Sequence, residues 1–331
     1  MKRRIFVALS LGGVVVASFV VLTRDGPATE ALASLPLANH GAALLTALVE
    51  VLLRGVRLLV LSSIIGLSIA LPTATLTQLA ADGGAAVTPL RSGADPGKAL
   101  VLHRRGTRGG HIGALILGEA LSEATMVPLA AVAVALTVGA SPAALAGPLV
   151  WSATVLTLVT VAVRVAPSRD AKAPRLLLRL GMTPARWERT VRSAADFRSA
   201  AGTLKRMRWP HLALLVLSTL GHIAARLLVL PALLGPAAAA VDAGALVAWP
   251  FFLIYGGSLI PAPGGAGLVE AGFMATVGPA VATATEAGVA AEPGVYAFWW
   301  RVYAYHLTAA LGWWTLAVHG RRRRRERRET A

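Results

Sequence analysis

Hydrophobic residues run through this chain in long stretches that short polar and basic segments separate. The stretches lie at 5–22, 41–60, 61–81, 112–136, 148–165, 211–234, 243–260, 266–282 and 295–318. A transmembrane helix needs roughly 20 predominantly apolar residues, so most of these stretches are long enough to cross a bilayer, and 266–282 is short. The pattern predicts an all-α, polytopic membrane protein.

The composition supports the bilayer as the solvent. Of the 331 residues, 56% are hydrophobic and 15% are charged, and the mean hydropathy is +0.65. A soluble domain carries about 25% charged residues, and a single soluble core rarely grows beyond about 250–300 residues. The chain has no cysteine, which excludes disulfides, zinc–thiolate sites, iron–sulfur clusters and cysteine nucleophiles.

The formal net charge is +16, and most of the 32 Lys and Arg residues fall in four patches, at 2–4, 91–108, 169–208 and 321–328. Strong basicity can indicate nucleic-acid binding. Basic residues also collect on the cytoplasmic side of membrane proteins, and this interpretation explains why the patches separate apolar stretches. We therefore expect no nucleic-acid partner.

The basic patches predict a topology with the N-terminus inside. Stretch 5–22 can be interpreted as a signal peptide, but no small-x-small cleavage site follows it, so a retained span is favoured. If 61–81 crossed fully, the basic segment 91–108 would lie outside. Pro72 and the polar break at 82–84 favour a re-entrant hairpin, which keeps that segment inside if protein buries its backbone. The expected architecture is about eight transmembrane helices plus one or two re-entrant or interrupted segments, multi-pass in the plasma membrane, with both termini cytoplasmic.

The expected domain organisation is one polytopic membrane domain over 1–320, containing a cytoplasmic basic loop at 167–209, followed by a basic cytoplasmic tail at 321–331. The tail is interpreted as a topology anchor. Anionic lipid is the expected partner of both the loop and the tail.

Thr183-Pro184 predicts a helix start inside that loop, with Thr as the cap and Pro at the first helical position. The apolar face of this helix would carry Trp187, Val191, Ala194 and Ala195. Either the helix lies on anionic lipid through this face, or the segment is a solvated cytoplasmic loop.

Two segments, 88–98 and 260–270, interrupt the apolar pattern in the same way. In each, a proline (Pro89 or Pro261) is followed four residues on by Gly, five on by Ala, and then by an acid. Proline removes a donor and glycine frees the backbone, so both segments are expected to unwind a helix. Transporters build substrate sites from paired interrupted segments in related halves. The similarity indicates a candidate internal repeat, and the alternative is two ordinary loops between spans.

Ionisable residues inside the apolar stretches include Glu50, Arg54, Arg57, Glu119, Glu123, His222, Arg226, Glu270 and Arg301. Such residues are costly in lipid and usually face a partner or a wet cavity. The alternative is a structural ion pair or snorkelling to the interface, which we favour for Glu50 and Arg57. Glu270 and Arg301 are expected to face one water-filled cavity without meeting directly.

At these residues the chain resembles the lysylphosphatidylglycerol synthase/flippase transmembrane domain family, including YbhN-like integral membrane proteins. The stretch 261–270 is similar to the family's Pro-x-Pro-Gly-Gly-x-Gly-x-x-Glu signature. The matching residues are Pro261, Pro263, Gly264, Gly265, Gly267 and Glu270. The last stretch, with Arg301, resembles the family's Arg-containing final helix.

The upstream resemblance is less complete. Arg91 and Lys98 are similar to the family's Pro-x-Arg-x-Gly element and the basic residue after it. Glu119 and Glu123 resemble its Glu-Arg-x-x-Asp helix, although Ala120 stands in place of the Arg and Glu123 in place of the Asp. The resemblance covers roughly residues 40–320.

The resemblance implies translocation of a phospholipid or lipid-linked substrate, such as aminoacylated phosphatidylglycerol, between leaflets. Few residues follow Gly320, so no soluble transferase domain is expected, and neither enzymatic activity, a metal nor a cofactor. A separate lipid-modifying transferase is a candidate partner. Two alternatives stay open, a membrane-embedded lipid-modifying transferase and a non-catalytic partner in envelope assembly.

The expected site is a cavity in which Arg91, Lys98 and Arg301 neutralise a lipid phosphate. Glu119 and Glu123, together with the signature carboxylate, would hold those cations or bind an amine on the headgroup. The prolines and glycines of the signature would shape the backbone around the lipid.

Overall fold

The computed structural model describes residues 32–168, 171–179, 181–204 and 206–329. Within these ranges the chain is helical and has no strand, which confirms the all-α prediction. The helices are α1 (Leu37–Ile64), α2 (Leu71–Ala85), α3 (Ala94–Arg104), α4 (Gly109–Val138), α5 (Pro142–Val165), α6 (Arg175–Arg179), α7 (Pro184–Leu204), α8 (Trp209–Leu227), α9 (Val229–Leu234), α10 (Ala243–Gly257), α11 (Leu268–Thr276), α12 (Gly278–Glu286), α13 (Pro293–Arg301) and α14 (Leu307–Glu329).

Within the described ranges, three helices are individually long and apolar enough to cross a membrane, namely α4, α5 and α8. The pair α11 and α12, which meet at a bend of 50°, qualifies as a fourth if it forms one span. Large apolar side chains are exposed on the outer faces of α1, α4 and α5, for example Leu48, Leu136 and Val161. The protein is a helical membrane protein with an apolar outer surface. The predicted span 5–22 lies outside the described residues.

The prediction for the second and third apolar stretches was wrong in its boundaries. Helix α1 continues through Ile64, because Leu58 and Leu61 belong to one buried core with α4. The chain turns at Gly66, where φ is +75°. Pro72 then occupies the first turn of α2, where proline is well tolerated, instead of interrupting a span.

The predicted break at 82–84 is also wrong, since these residues are the last full turn of α2. The chain breaks later, at Pro89–Arg91, and returns as α3, which packs along α2. We call this unit, Leu71–Arg104, the first hairpin. Its glycines allow close helix contact, because a Cβ on Gly97 would lie 2.3 Å from the Ala80 carbonyl oxygen. Arg91 lies at the tip of the hairpin, so the basic segment 91–108 is divided between the tip and the end of α3.

A second hairpin is formed by α10, the break Pro263–Gly265 and α11. Helices α9, α10, α11 and α13 share a buried core around Leu230, Phe273 and Trp300. The final segment runs from α13 through a π-helical turn, Val302–His306, into α14, which packs against α2. The second hairpin and α14 therefore both lie against the first hairpin.

The basic loop 167–209 contains α6 and α7, and α7 begins at Pro184 as predicted. Trp187, Val191 and Ala194 are half-buried. Further along α7, Ala200 is buried in a core with α4, and Phe197 packs against Gly113. One face of the second half of α7 is thus covered by protein.

Candidate functional site

The breaks of the two hairpins touch each other. In the first, Leu90 and Arg91 have φ of 52° and 55°, and in the second, Gly264 and Gly265 have φ of 62° and 68°. Each pair follows a proline in a short 3₁₀ turn. Non-glycine residues rarely adopt such φ values, so the matching conformations mark the breaks as equivalent. The equivalence aligns Pro89 with Pro263, two residues away from the Pro89–Pro261 alignment that the sequence favoured.

The glycines of the second break are required by space as well as by φ. A Cβ on Gly264 would lie 2.1 Å from the Tyr305 hydroxyl oxygen, and one on Gly265 would lie 2.8 Å from Val269 Cγ2. Pro263 begins the turn. Pro261, in contrast, is exposed and lines neither of the cavities described below.

Glu270 and Arg301 meet directly, so the expectation that they would not meet was wrong. Arg301 Nε donates to Glu270 Oε1 at 2.7 Å, and Arg301 Nη2 donates to the Gly264 carbonyl at 2.8 Å. Glu270 Oε2 accepts from the Gly267 amide at 2.8 Å, and its side chain is fully buried. The unwound turn brings Glu270 into reach of α13. The Arg301 guanidinium also stacks over the Tyr305 ring, 4.6 Å from its centroid.

Buried charges from α1, α2 and α8 form a second group. Arg54 donates to both oxygens of Asp82, at 2.7 and 3.0 Å, and lies 3.5 Å from Glu50. Arg226 pairs with the same Glu50 carboxylate. Of these residues, the sequence favours a structural or interfacial role only for Glu50. Glu50, Arg54 and Asp82 are buried, and Arg226 is half-buried. Arg91 reaches this group, 3.5 Å from Asp82.

The two α4 carboxylates join the same network. Glu119 accepts from Lys98 Nζ at 2.7 Å, and it also contacts Gln78. Arg57 lies between the two carboxylates, 3.6 Å from Glu119 and 3.0 Å from Glu123. Their spacing of four residues on one helix face, visible in the sequence, allows one guanidinium to contact both.

Glu123 has further partners that the sequence analysis did not assign to the site. Tyr255 donates to its Oε1 at 3.3 Å, and His222 Nε2 lies 3.7 Å from the same oxygen. Tyr255 gave no signal in the sequence. Spacing could have indicated α1, because Glu50, Arg54 and Arg57 lie on one face of an otherwise apolar helix.

Two cavities open beside these charges. The first, of about 40 Å³, lies between the two breaks, and we call it the tip cavity; its polar lining includes Asp82, Arg91, Arg226, Arg301 and Tyr305. The second, of about 130 Å³, we call the network cavity; its polar lining includes Arg54, Arg57, Lys98, Glu123 and Tyr255. Arg91 and Arg226 line both cavities. Each cavity has room for more than one water molecule and is polar enough to hold it.

Polar atoms without partners point to a ligand. Among the described residues, neither Arg57 Nε nor the Tyr305 hydroxyl finds a hydrogen-bond partner, although both are buried. Buried donors are nearly always satisfied, so such atoms in cavity walls indicate groups that bind something from outside the chain. Directly after Arg301, the chain forms the π-helical turn that contains Tyr305, and π-turns are frequent at functional sites.

The structure therefore gathers most of the sequence-predicted residues into two adjoining groups. Arg91, Lys98, Glu119 and Glu123 belong to the network, and Gly264, Gly265, Gly267, Glu270 and Arg301 belong to the second break. Arg91 connects the two groups, because it lines both cavities.

Residues 5–312 match the family described as the lysylphosphatidylglycerol synthase TM region. The chain belongs to this family, whose members are membrane domains of lipid-related proteins. No curated protein matches the chain.

Proposed function

We propose that this membrane protein moves a phospholipid or lipid-linked substrate between leaflets, and that the headgroup of this substrate passes through the tip and network cavities. One observation carries the proposal: cations line two adjoining polar cavities, which share Arg91 and Arg226 in their walls, where the breaks of two hairpins meet. Membership of a lipid-related family supports it. Aminoacylated phosphatidylglycerol is one candidate substrate.

The physical problem in such a reaction is to carry a phosphate through hydrocarbon. Arg91, Lys98 and Arg301 would replace the water around that phosphate, and a guanidinium can bind two phosphate oxygens at once. Unwound backbone at membrane depth is tolerated where it lines a cavity, which is where both breaks lie. The prolines and glycines of the second break would let the backbone approach the headgroup closely.

The carboxylates have a supporting role in this proposal. Glu119 holds Lys98, Glu123 holds Arg57, and Glu270 holds Arg301. These pairs fix the direction of each cation before the headgroup arrives, so that less rotamer entropy is lost on binding.

The proposed topology places about eight spans in the plasma membrane, including the predicted span 5–22, with both termini in the cytoplasm. The arginines of α7 would then face the cytoplasmic leaflet and contact anionic lipid, as would the basic tail. A separate lipid-modifying transferase would supply the substrate if that substrate is aminoacylated.

Reconstitution tests the proposal. Purified protein is placed in phosphatidylcholine vesicles that contain a trace of fluorescent phosphatidylglycerol. Label from the inner leaflet should become accessible to an impermeant quencher faster in these vesicles than in protein-free vesicles. Compared at equal amounts of folded protein, Arg301→Gln should reduce this rate at least about ten-fold, the effect of roughly 1.4 kcal/mol. Arg164→Gln, at an exposed arginine near the end of α5, is the matched control. A wild-type rate equal to that of empty vesicles, or chemical conversion of the lipid without movement, would refute the proposal.

A further inference from the structure

The walls of the two cavities are strongly asymmetric in charge. Among the described residues, six cations and two carboxylates face the tip and network cavities; the cations are Arg54, Arg57, Arg91, Lys98, Arg226 and Arg301, and the carboxylates are Asp82 and Glu123. A cavity lined in this way has a positive potential, because charges in a medium of low dielectric are weakly screened.

The remaining carboxylates lie behind the cations. Glu50, Glu119 and Glu270 are buried, pair with Arg226, Lys98 and Arg301 respectively, and do not line either cavity. Each holds its cation from the side away from the cavity. The cations line the cavities with their remaining surface, whereas these three carboxylates are enclosed by protein.

The two carboxylates that do face the cavities are already engaged. Asp82 receives both guanidinium bonds of Arg54, and Arg91 lies 3.5 Å away. Glu123 is bonded by Arg57 at 3.0 Å and by Tyr255 at 3.3 Å. A headgroup amine that bound either carboxylate would displace a guanidinium from it. This displacement is costly because the charge of the guanidinium would be left unpaired.

The unsatisfied atoms are donors. Arg57 Nε, in the wall of the network cavity, can only donate, and the Tyr305 hydroxyl, in the wall of the tip cavity, has a proton to donate. Phosphate oxygens only accept, so they complement both atoms. An ammonium only donates and cannot bond to Arg57 Nε.

The formal charge balance around the cavities agrees. The six cations stand against five carboxylates among the described residues, which line the cavities or pair with those cations. Glu50, Asp82, Glu119 and Glu270 are buried, and Glu123 is half-buried. Asp95, 4.0 Å from Lys98, is solvent-exposed, and exposed pairs contribute little. One positive charge is thus in excess, which matches the single negative charge of a phosphodiester.

We infer that the site accepts a phosphodiester headgroup with net negative charge and without an amine, and that it rejects the same headgroup once aminoacylation has made it positive. The inference rests on the proposed function and names the substrate class for the same cavities. It favours an anionic lipid over the aminoacylated lipid that the family name suggests.

Competition among lipids of matched acyl chains tests the inference in vesicles. Fluorescent phosphatidylglycerol, phosphatidylethanolamine and lysyl-phosphatidylglycerol differ in headgroup charge and carry the same label. We expect the anionic probe to cross fastest and the zwitterionic probe to cross at an intermediate rate. The transport rate of the anionic probe should exceed that of the lysyl probe at least about ten-fold.

Arg91→Gly is the informative variant, because it removes the excess charge at a position whose φ of 55° suits glycine. It should fold and should lower the ratio of anionic to lysyl transport to near one. Leu90→Gly is the matched control, since it has the same type of φ, 52°, and removes no charge. Leu90→Gly should keep the wild-type ratio.

A binding measurement separates this inference from the proposed function. Dihexanoyl phosphatidylglycerol should raise the Tm of the detergent-solubilised protein more than its lysyl ester does, and Arg91→Gly should abolish the difference. Such a preference without any lipid movement would support the inference and refute translocation. Movement of the lysyl probe as fast as, or faster than, the anionic probe would overturn the inference and leave translocation standing.

Discussion

Gly84 and Gly93 face each other across the first hairpin so closely that neither can carry a side chain. A Cβ on Gly84 would lie 2.1 Å from the Gly93 carbonyl oxygen, and a Cβ on Gly93 would lie 2.3 Å from the Gly84 oxygen. Thr88 joins the two, because its hydroxyl donates to the Gly84 carbonyl at 3.0 Å and accepts from the Gly93 amide at 2.7 Å. This contact holds the tip that presents Arg91 to both cavities.

Gly84→Ala should therefore destabilise the protein. The added methyl overlaps backbone, which cannot move as a flexible side chain can, and overpacking typically costs about 1–3 kcal/mol. Gly41→Ala is the control, because that position is also helical and has no atom within 4 Å of the added methyl. Thermal unfolding in detergent should show a lower Tm for Gly84→Ala and an equal or higher Tm for Gly41→Ala. Equal values for the two variants would contradict the close contact.

The Glu270–Arg301 pair should respond asymmetrically to mutation. Arg301→Gln leaves the fully buried Glu270 carboxylate without its guanidinium, and breaking a buried pair costs about 3–5 kcal/mol. Glu270→Gln leaves a cation that lines the tip cavity, where water can solvate it, so the loss should be smaller. Denaturant unfolding of both variants measures the difference. If Glu270→Gln were the more destabilising change, the tip cavity would not solvate Arg301.

Gly264, in the second break, and Gly267, just after it, allow the effect of steric overlap to be measured separately from the effect of backbone conformation. Gly264 and Gly267 have φ of 62° and 81°, but only a Cβ on Gly264 meets other atoms, at Tyr305; one on Gly267 has nothing within 4 Å. Gly267→Ala should cost only the conformational term, about 1–3 kcal/mol, because φ of 81° with ψ of −44° is strained for a residue with a side chain. Gly264→Ala should cost more and should also reduce lipid transport. The Tm values and transport rates of the two variants provide the measurement, and equal losses would show that Tyr305 moves aside.

The proposed topology predicts which single cysteines react with an impermeant thiol reagent in intact cells. The chain has no native cysteine, so no background labelling arises. Arg105→Cys, exposed after α3, should react only after the cells are permeabilised, because the first hairpin returns to the inner face. Val289→Cys, exposed after α12, should label directly. The opposite labelling pattern would show that the topology is inverted. Labelling of both sites in intact cells would show that the first hairpin segment crosses the membrane fully.

Much of the candidate site was visible in the sequence. Glu119, Glu123, Glu270 and Arg301 stand out because a charge inside an apolar stretch requires a partner or water. Arg91 and Lys98 stand out through the family resemblance, and all six lie at the network or the second break. Pro261 was included by its place in a signature, and it is exposed. For Glu50 and Arg57 the sequence favours a structural or interfacial role, because hydropathy does not show how deep a helix end lies.

The sequence by itself determined the helical membrane class and the existence of two interrupted segments, because apolar run length and the backbone limits of proline and glycine are local properties. Tertiary structure decided where the first segment breaks and which charges meet. Gly83 and Gly84 stay helical because α14 and Gly93 pack against them. Glu50 and Arg226 are 176 residues apart and share one ion pair. These contacts and ion pairs follow from how the helices pack. Close backbone contact and the cost of an unpaired buried charge select one packing arrangement, and no single stretch of the chain encodes that arrangement.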